Sequence, residues 1–239
     1  MKKVIFSTMC LLLGTLMLQA QDNKYVGVQL GFSQPITRLN APVQGKETSL
    51  NANIYNGLKI GLVYDETIVK GFGYTIGLNY TFGGKHTDWT SKNTHSVYPK
   101  VRSRGQYHQM EVVVDWQYKF QIAKDTWVML YTGPSLQCGF NLQDKWYVKF
   151  DNNAEQLDYT KNYYSTESAG NYALKRINVT WGIGAGFQFD RYFLRGGYDF
   201  GIINPYKEEI FKITDQYKPY TRGRFDQWQI KAGMYLWHF

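Results

Sequence analysis

Histidine and cysteine are the residue types in this chain that could most readily support catalysis or bind a metal, and they are few. The 239 residues contain four histidines and two cysteines, with no HExxH, GxSxG, phosphate-loop or CxxC motif. His86 and Asp88 are close enough in sequence to form an acid–base or metal-binding pair, but a solvated loop explains them better. We therefore predict no catalytic residue, no metal site and no cofactor.

A second group of chemically capable residues consists of charged side chains at odd-numbered positions, which would all lie on the same face of extended strands. These are Lys59, Glu111, Asp115, Lys119, Arg195, Asp199 and Lys231. The backbones of Glu111 and Asp115 would stand about 13 Å apart on an extended strand at ~3.3 Å per residue, too far for a simple pair of catalytic carboxylates. We predict a network of paired charges that fills an enclosed interior. A proton or small-solute path lined by the same charges is the alternative.

The elements that must position these charges are segments in which large apolar residues alternate with small or polar ones. In residues 71–83 the even positions are all large and apolar, whereas the odd positions are Gly, Thr or Asn. The same division recurs in residues 25–33, 53–65, 106–120, 127–141, 176–189, 191–203 and 225–238. A period of two is the signature of a β-strand with two different faces. Pro134 cannot donate to a sheet, so we expect a bulge at Thr132–Pro134.

The connections between these eight segments alternate strictly between long and short. Long polar loops are predicted at residues 34–52, 84–105, 142–175 and 204–224, and short turns at residues 66–70 and 121–125 and at Asp190. This arrangement is typical of an all-β, eight-stranded antiparallel up-and-down transmembrane β-barrel with its long loops outside the cell and both termini in the periplasm. The bulky face would contact lipid and the glycine-rich face would line a narrow interior. A soluble secreted barrel or sandwich, with the bulky face inward, is the alternative.

Composition and the N-terminal residues point to export. Tyr, Phe and Trp make up 17% of the chain, which argues against disorder, and after the N-terminus no apolar run reaches the ~20 residues of a membrane helix. Lys2 and Lys3 precede an apolar stretch from Val4 to Leu18, and Leu18–Ala20 fits a small-residue cleavage site. This predicts a signal peptide over residues 1–20 cleaved before Gln21 and a barrel domain over residues 21–239; an uncleaved membrane anchor is the alternative, but the stretch is shorter than the ~20 residues of a spanning helix. Because the chain is exported, its excess of basic residues does not indicate nucleic acid as a partner.

Three sequence elements resemble a known family. They are YVGVQLG at 25–31, YTGPSL at 131–136 and LRGGYDFGIIN at 194–204. With the signal peptide they are similar to the outer-membrane β-barrel family common in Bacteroidota, labelled porin-family or PorT-like, although Gly197 and Ile202 depart from the family pattern. The resemblance implies the outer membrane of a Gram-negative bacterium, contact with its lipid and lipopolysaccharide, and recognition of the terminal Phe239 by the barrel-insertion machinery.

Three functions remain open on these observations. The first is a non-enzymatic structural or interaction role in the cell envelope, with an envelope protein bound through the aromatic-rich loop 142–175, which we expect to form a hairpin with residues 146–150 as one arm. The second is a narrow porin-like channel. The third is an outer-membrane enzyme that modifies lipid A, for which Ser91 or Ser96 would have to act with His86 or His95. Loop 84–105 carries five basic residues against one acidic residue, and two interpretations of it stay open: contact with lipopolysaccharide phosphates or sugars, or simple solvation of its charges.

Overall fold

The computed structural model describes residues 23–43, 46–53, 56–89, 100–149, 155–169, 173–207 and 222–239. The predicted signal peptide, with Ala20 and Gln21 at its cleavage site, lies outside these ranges and stays a prediction. Ile54 and Tyr55, at the start of the predicted second strand, also lie outside them. Within the described ranges no helix is both long and apolar enough to span a bilayer.

Ten antiparallel strands and one short helix make up the part of the chain that the structure describes. They are β1 (Asn23–Val43), β2 (Lys46–Asn53), β3 (Gly57–Val69), β4 (Phe72–His86), β5 (Lys100–Ala123), β6 (Thr126–Lys149), β7 (Glu155–Asn162), α1 (Thr166–Ala169), β8 (Ile177–Phe189), β9 (Tyr192–Gly201) and β10 (Arg222–His238). The sheet runs β10-β9-β8-β6-β5-β4-β3-β1, and β10 pairs with β1 to close it. Eight strands therefore form a ring, which confirms the predicted eight-stranded antiparallel barrel.

Two-residue turns at one end of the barrel join its strands where the sequence predicts short connections. The turns fall at residues 70–71, 124–125 and 190–191. Lys70, Asp125 and Asp190 have φ of 45°, 56° and 50°, and Gly71 has φ of 89°. Gly adopts this left-handed region without steric cost and Asp tolerates it better than most residues, so these turns close tightly.

The strands at the opposite end are longer than the sequence predicts. β1 continues to Val43 and pairs with β2 as a hairpin, so much of the predicted loop 34–52 is sheet. β6 continues to Lys149 and pairs with β7, which is the hairpin expected within loop 142–175. β5 and β6 have 24 residues each, about twice the 9–11 needed to cross a bilayer. Outside the membrane neither face of a strand meets lipid, so the alternation that marks a strand in the sequence is lost there.

Pro134 does not cause the predicted bulge. Val113 pairs with Ser135 and Trp116 pairs with Thr132, so the register is the same on both sides of Pro134. The β5–β6 pairing is interrupted between these pairs, but no extra residue is inserted. The backbone of β5 packs so closely there that a Cβ on Gly133 would overlap the Val114 carbonyl oxygen. The bulge in β6 lies instead at Phe140, because His108 pairs with Asn141 and Gln109 with Gly139. Side-chain parity along β6 therefore reverses beyond Phe140.

The two faces of the ring differ in the way the alternation predicts. Leu30, Leu62 and Leu130 on the outer face are 66%, 57% and 51% exposed, and they belong to a band of large apolar residues found on every strand of the ring. The inner face is buried and mostly polar. An apolar band of this extent, facing outward around a closed ring, is covered by lipid in membrane barrels. The soluble barrel with its apolar face inward is therefore wrong.

A charge placed in the apolar band should destabilise the barrel only where lipid covers it. We predict that Leu62→Arg lowers the free energy of unfolding in lipid vesicles by about 2–4 kcal/mol, because arginine is costly near the bilayer midplane. The matched control is Leu157→Arg on β7, a similarly exposed leucine outside the ring, which should change stability little. Urea unfolding followed by tryptophan fluorescence measures both, and equal losses in the two variants would contradict the assignment of the lipid-facing band.

Candidate functional site

The seven charges predicted to share one face all point into the barrel. Lys59 comes from β3, Glu111, Asp115 and Lys119 from β5, Arg195 and Asp199 from β9, and Lys231 from β10, and none is more than 8% exposed. The reason is parity alone, because each stands at an odd position whose even neighbours face lipid. Burying charges in this way costs free energy unless they are paired or hydrogen-bonded.

Glu111 is the centre of one cluster, towards the long-loop end of the lumen. Its Oε2 accepts a hydrogen bond from Lys59 Nζ at 2.6 Å, with both side chains fully buried. Asn79 Nδ2 and Gln137 Nε2 each donate to the carboxylate at 3.1 Å. Lys59 Nζ also donates to Gln229 Oε1 at 2.6 Å. With the Ser135 hydroxyl, which donates at 3.5 Å, the carboxylate has one cationic and three neutral donors, which replace its water shell.

Asp65 is the centre of a second cluster, nearer the short turns, and the sequence analysis missed it. Lys119 Nζ lies 2.7 Å from its Oδ1, and Arg195 Nη2 lies 2.8 Å from its Oδ2. The Tyr235 hydroxyl donates to Oδ2 at 2.7 Å, and Gln117 accepts a further bond from Arg195 at 3.0 Å. The odd position of Asp65, in line with Lys59, would have identified it, but it stands at the end of the alternating segment beside a predicted turn.

The remaining predicted charges join these clusters unequally. Asp199 accepts a hydrogen bond from Gln229 Nε2 at 2.8 Å, and Gln229 in turn accepts from Lys59, so Asp199 is linked to the Glu111 cluster. Asp115 and Lys231 are buried, but in the part of the chain that the structure describes no salt bridge or hydrogen bond reaches either side chain. Five of the seven predicted residues are therefore in hydrogen-bonded clusters, and two are not.

A second missed carboxylate, Asp226, lies on the outer face near the long-loop end. Parity places it outside the barrel, yet it is fully buried because Arg38 Nε at 2.8 Å and Arg224 Nε at 2.7 Å cover it. The Tyr198 hydroxyl donates to it at 2.9 Å. The arginine side chains are 41% and 44% exposed, so this cluster faces the surroundings of the barrel rather than the lumen.

The long-loop end of the lumen is filled by an apolar plug, which we define as Tyr107, Leu142, Tyr164, Leu174 and Tyr206. Tyr164 and Leu174 come from the segment around α1, after β7. Gly139 makes room for the Tyr164 ring, because a Cβ there would overlap its hydroxyl. Arg176 lies 5.0 Å from the centre of that ring and donates to the Phe140 carbonyl at 3.0 Å. The plug is thus tied to the barrel wall.

The short-turn end of the lumen has its own apolar layer. Val63, Met129, Phe193 and Tyr235 pack together, with Tyr25 against them. Beyond this layer a cavity of about 450 Å³ opens at the end of the barrel, lined in part by Tyr25, Lys119, Trp127 and Gln188. Lys119, which pairs with Asp65, also lines the cavity, so charged and apolar side chains together fill the lumen between the cavity and the plug.

The structure brings together no catalytic or metal-binding group within the described residues. They contain no group of three His, Cys, Asp or Glu side chains that could hold a metal. His86 ends β4 and is exposed, as is Asp88, and no hydrogen bond or ion pair joins them. His108 Nδ1 hydrogen-bonds the Tyr80 hydroxyl at 2.9 Å on the lipid-facing side. Ser91, Ser96 and His95 lie outside the described residues, so the serine–histidine pairs of the enzyme hypothesis stay a hypothesis.

Comparison with known proteins identifies the family. A family model described as "outer membrane protein beta-barrel domain" matches residues 19–206, and the chain belongs to this family. This match identifies the family but does not distinguish a Bacteroidota or PorT-like subgroup within it. No curated protein matches the chain.

Solved structures with a similar fold share little sequence with the chain. OprG of Pseudomonas aeruginosa is 10% identical with a TM-score of 0.44, covering 93% of this chain and all of that one. The attachment invasion locus protein Ail of Yersinia pestis is 10% identical with a TM-score of 0.40, covering 90% and 100%. Neisserial surface protein A is 10% identical with a TM-score of 0.38, covering 88% and 97%.

Removing the central carboxylate of the second cluster should strongly destabilise the barrel. We predict that Asp65→Asn lowers the free energy of unfolding by about 3–5 kcal/mol, because it leaves Lys119 and Arg195 buried without a counter-charge. The control is Asp190→Asn, which removes an exposed carboxylate 3.7 Å from Arg191 and should cost at most about 1 kcal/mol. Urea titration in detergent micelles measures both. A loss for Asp65→Asn no larger than that of the control would show that water, not the carboxylate, solvates the two cations.

Proposed function

We propose that this member of the outer-membrane β-barrel family is an integral outer-membrane protein of a Gram-negative bacterium with a structural or interaction role, neither enzymatic nor conducting. The observation that carries the proposal is the filled lumen. The Lys59–Glu111 pair and the Asp65 cluster fill it together with the apolar residues near the short turns, and the apolar plug fills its long-loop end.

The filled lumen argues against the narrow channel. An eight-stranded barrel is only wide enough inside to be filled by side chains. Here those side chains reach across the lumen and bond to one another, as Arg195 of β9 does to Asp65 of β3. An ion that entered would have to separate hydrogen-bonded charges that are buried from solvent, such as Lys59 and Glu111. The buried charges are therefore better suited to holding the strands together than to conducting.

The sheet that extends beyond the ring supports the interaction role. β5, β6 and β7 project past the plug, and Leu157 and Tyr159 on β7 are 49% and 48% exposed there. Trp146 and Tyr159 stack across β6 and β7 with their ring centres 5.8 Å apart. Exposed aromatic and aliphatic side chains on a rigid sheet are typical of protein-binding surfaces. We propose this hairpin, within residues 142–175, as the surface for an envelope protein.

Three further partners follow from the proposed location. The apolar band would contact outer-membrane lipid, and the extended strands would contact lipopolysaccharide. The barrel-insertion machinery would recognise β10, which closes the ring, together with Phe239 beside it. Phe239 is exposed, and its backbone N–H donates to the Lys24 carbonyl at 2.9 Å.

We expect no discrete conductance from the wild-type protein in planar bilayers, because its lumen is closed at several levels. Single-channel recording of the purified, folded protein measures this. Conductance steps in the wild type that change in Lys59→Gln or Arg195→Gln, but not in the exposed turn variant Lys124→Gln, would support the channel instead.

Shortening the hairpin should abolish capture of an envelope protein and leave the barrel folded. Lys145 pairs directly with Thr160, so residues 146–159 can be replaced by an Asn-Gly turn without moving the plug residues Leu142 and Tyr164. We predict that the shortened variant keeps heat-modifiable gel mobility but loses the partner in affinity purification from crosslinked envelopes. Unchanged recovery would show that the hairpin is not the interaction surface.

A further inference from the structure

The outer face of the extended sheet carries a cluster of basic residues that the lumen and the hairpin tip do not explain. We define the outer basic patch as Lys100, Arg102, Arg104, Lys145 and Lys149, with Trp89 and Tyr147 among them. Arg102 lies 4.7 Å from the ring centre of Trp89 and 5.4 Å from that of Tyr147. Arg104 also lies over Tyr147, at 5.3 Å, and Lys149 over Trp89, at 5.9 Å. Cations and aromatic rings therefore interleave on one surface.

The register of β5 and β6 places like charges directly opposite one another in this patch. Lys100 pairs with Lys149, and Arg104 pairs with Lys145. Like charges at directly opposed positions of a sheet are destabilising. The bulge at Phe140 causes this arrangement, since without the extra residue Arg104 would stand opposite Asp144. The observed register therefore places positive charges opposite one another, whereas a register shifted by one residue would place Arg104 opposite the carboxylate of Asp144.

The carboxylates of the chain neutralise this patch only in part. Glu155 accepts a hydrogen bond from Arg102, which lowers the pKa of that carboxyl, and it pairs with Lys149 across β6 and β7. Among the residues that the structure describes, no carboxylate lies within salt-bridge distance of Lys100, Arg104, Lys145 or Lys149. Five cations therefore share one carboxylate, Glu155, and the patch keeps a positive charge that an external anion can meet.

The position of the patch on the barrel indicates which anion it meets. It lies on the face that is continuous with the lipid-facing band and beyond the end of that band, since Met110 of β5 and Phe140 of β6 are the last exposed large apolar residues before it on these strands. Hydrocarbon covers the apolar band, so the patch lies on its long-loop side, at the level of the headgroups or above. A lipid that reaches the patch must carry its negative charge on sugars that project above the headgroup level.

We propose that the outer basic patch binds the phosphorylated saccharide headgroup of an outer-leaflet glycolipid. The arginine and lysine side chains contact the phosphates, where Arg104 can form paired hydrogen bonds, and Trp89 and Tyr147 pack against the sugar rings. This inference rests on the proposed outer-membrane location, but it does not depend on the protein partner of the hairpin.

The test uses the full mature chain folded in detergent micelles and a water-soluble probe, deacylated lipopolysaccharide that retains its phosphates. Isothermal titration calorimetry compares the wild type with the patch variant R104Q/K145Q/K149Q and with the control K70Q/K124Q/R191Q, which removes the same charge at the opposite end of the barrel. We expect the patch variant to bind about tenfold more weakly and the control to bind within about twofold of the wild type. Affinity in the wild type should fall as salt rises.

Two further arms fix the chemistry of the ligand. Phosphatase treatment of the probe should reduce binding to the level of the patch variant, and R104K/K145R/K149R, which keeps the charge, should restore most of it. The patch variant should also unfold at higher urea than the wild type at low salt when no probe is present, because like-charge repulsion is removed; this readout shows that it is folded.

Three results would overturn the inference. The first is equal binding by the patch and control variants. The second is undiminished binding of the phosphatase-treated probe, which would indicate an uncharged sugar site. The third is displacement of the probe by dextran sulfate at matched charge with equal affinity, which would indicate a general polyanion from outside the membrane. Because the point variants keep the hairpin, capture of its protein partner by the patch variant separates failure here from failure of the interaction role.

Discussion

The pairing of β1 with β10 is the constraint on which the rest of the structure depends. A strand edge left open in hydrocarbon would expose N–H and C=O groups with no water to satisfy them, at a cost of several kcal/mol each. The ladder from Tyr25–His238 to Asn40–Arg222 closes the ring and removes both edges. Once the ring is closed, every residue on it faces either lipid or the lumen. Alternate residues of each strand therefore have apolar and polar surroundings, which is why the sequence alternates with a period of two.

Closure also determines what the lumen can contain. Eight strands enclose a space that side chains fill, so charges that face inward are removed from bulk water and must find partners across the barrel. Asp65 does this most completely, with Lys119, Arg195 and Tyr235 drawn from three other strands. Such long-range pairs specify register, because sliding one strand by two residues would separate the partners. The network therefore acts on the specificity of the fold as well as on its stability.

How much of this the sequence could predict depends on where lipid imposes the alternation. Residues 71–83 alternate without exception, and the structure forms β4 there. The pattern fades in β7, where six successive side chains are exposed, and in β2, and the sequence predicts these segments only as loop or as part of a hairpin. The sequence does not reveal the burial of Asp226, because the two arginines that bury it on the outer face approach it only in the tertiary structure. The sequence also does not predict that the bulge lies at Phe140 rather than at Pro134. Either residue could interrupt the ladder, and the position depends on which residues of β5 pair with those of β6.

The bulge at Phe140 links the barrel wall to its surface chemistry. On the membrane side of it, odd residues of β6 such as Gln137 face the lumen, and beyond it even residues such as Leu142 do so. The reversal lets Leu142 pack against Tyr107 in the plug, and by the same step it turns Lys145, Tyr147 and Lys149 outward. One inserted residue therefore both closes the lumen and builds the basic face above the lipid. Sealing the interior and charging the exterior are consequences of a single change in register, so removing the bulge would alter both faces of β6 beyond Phe140.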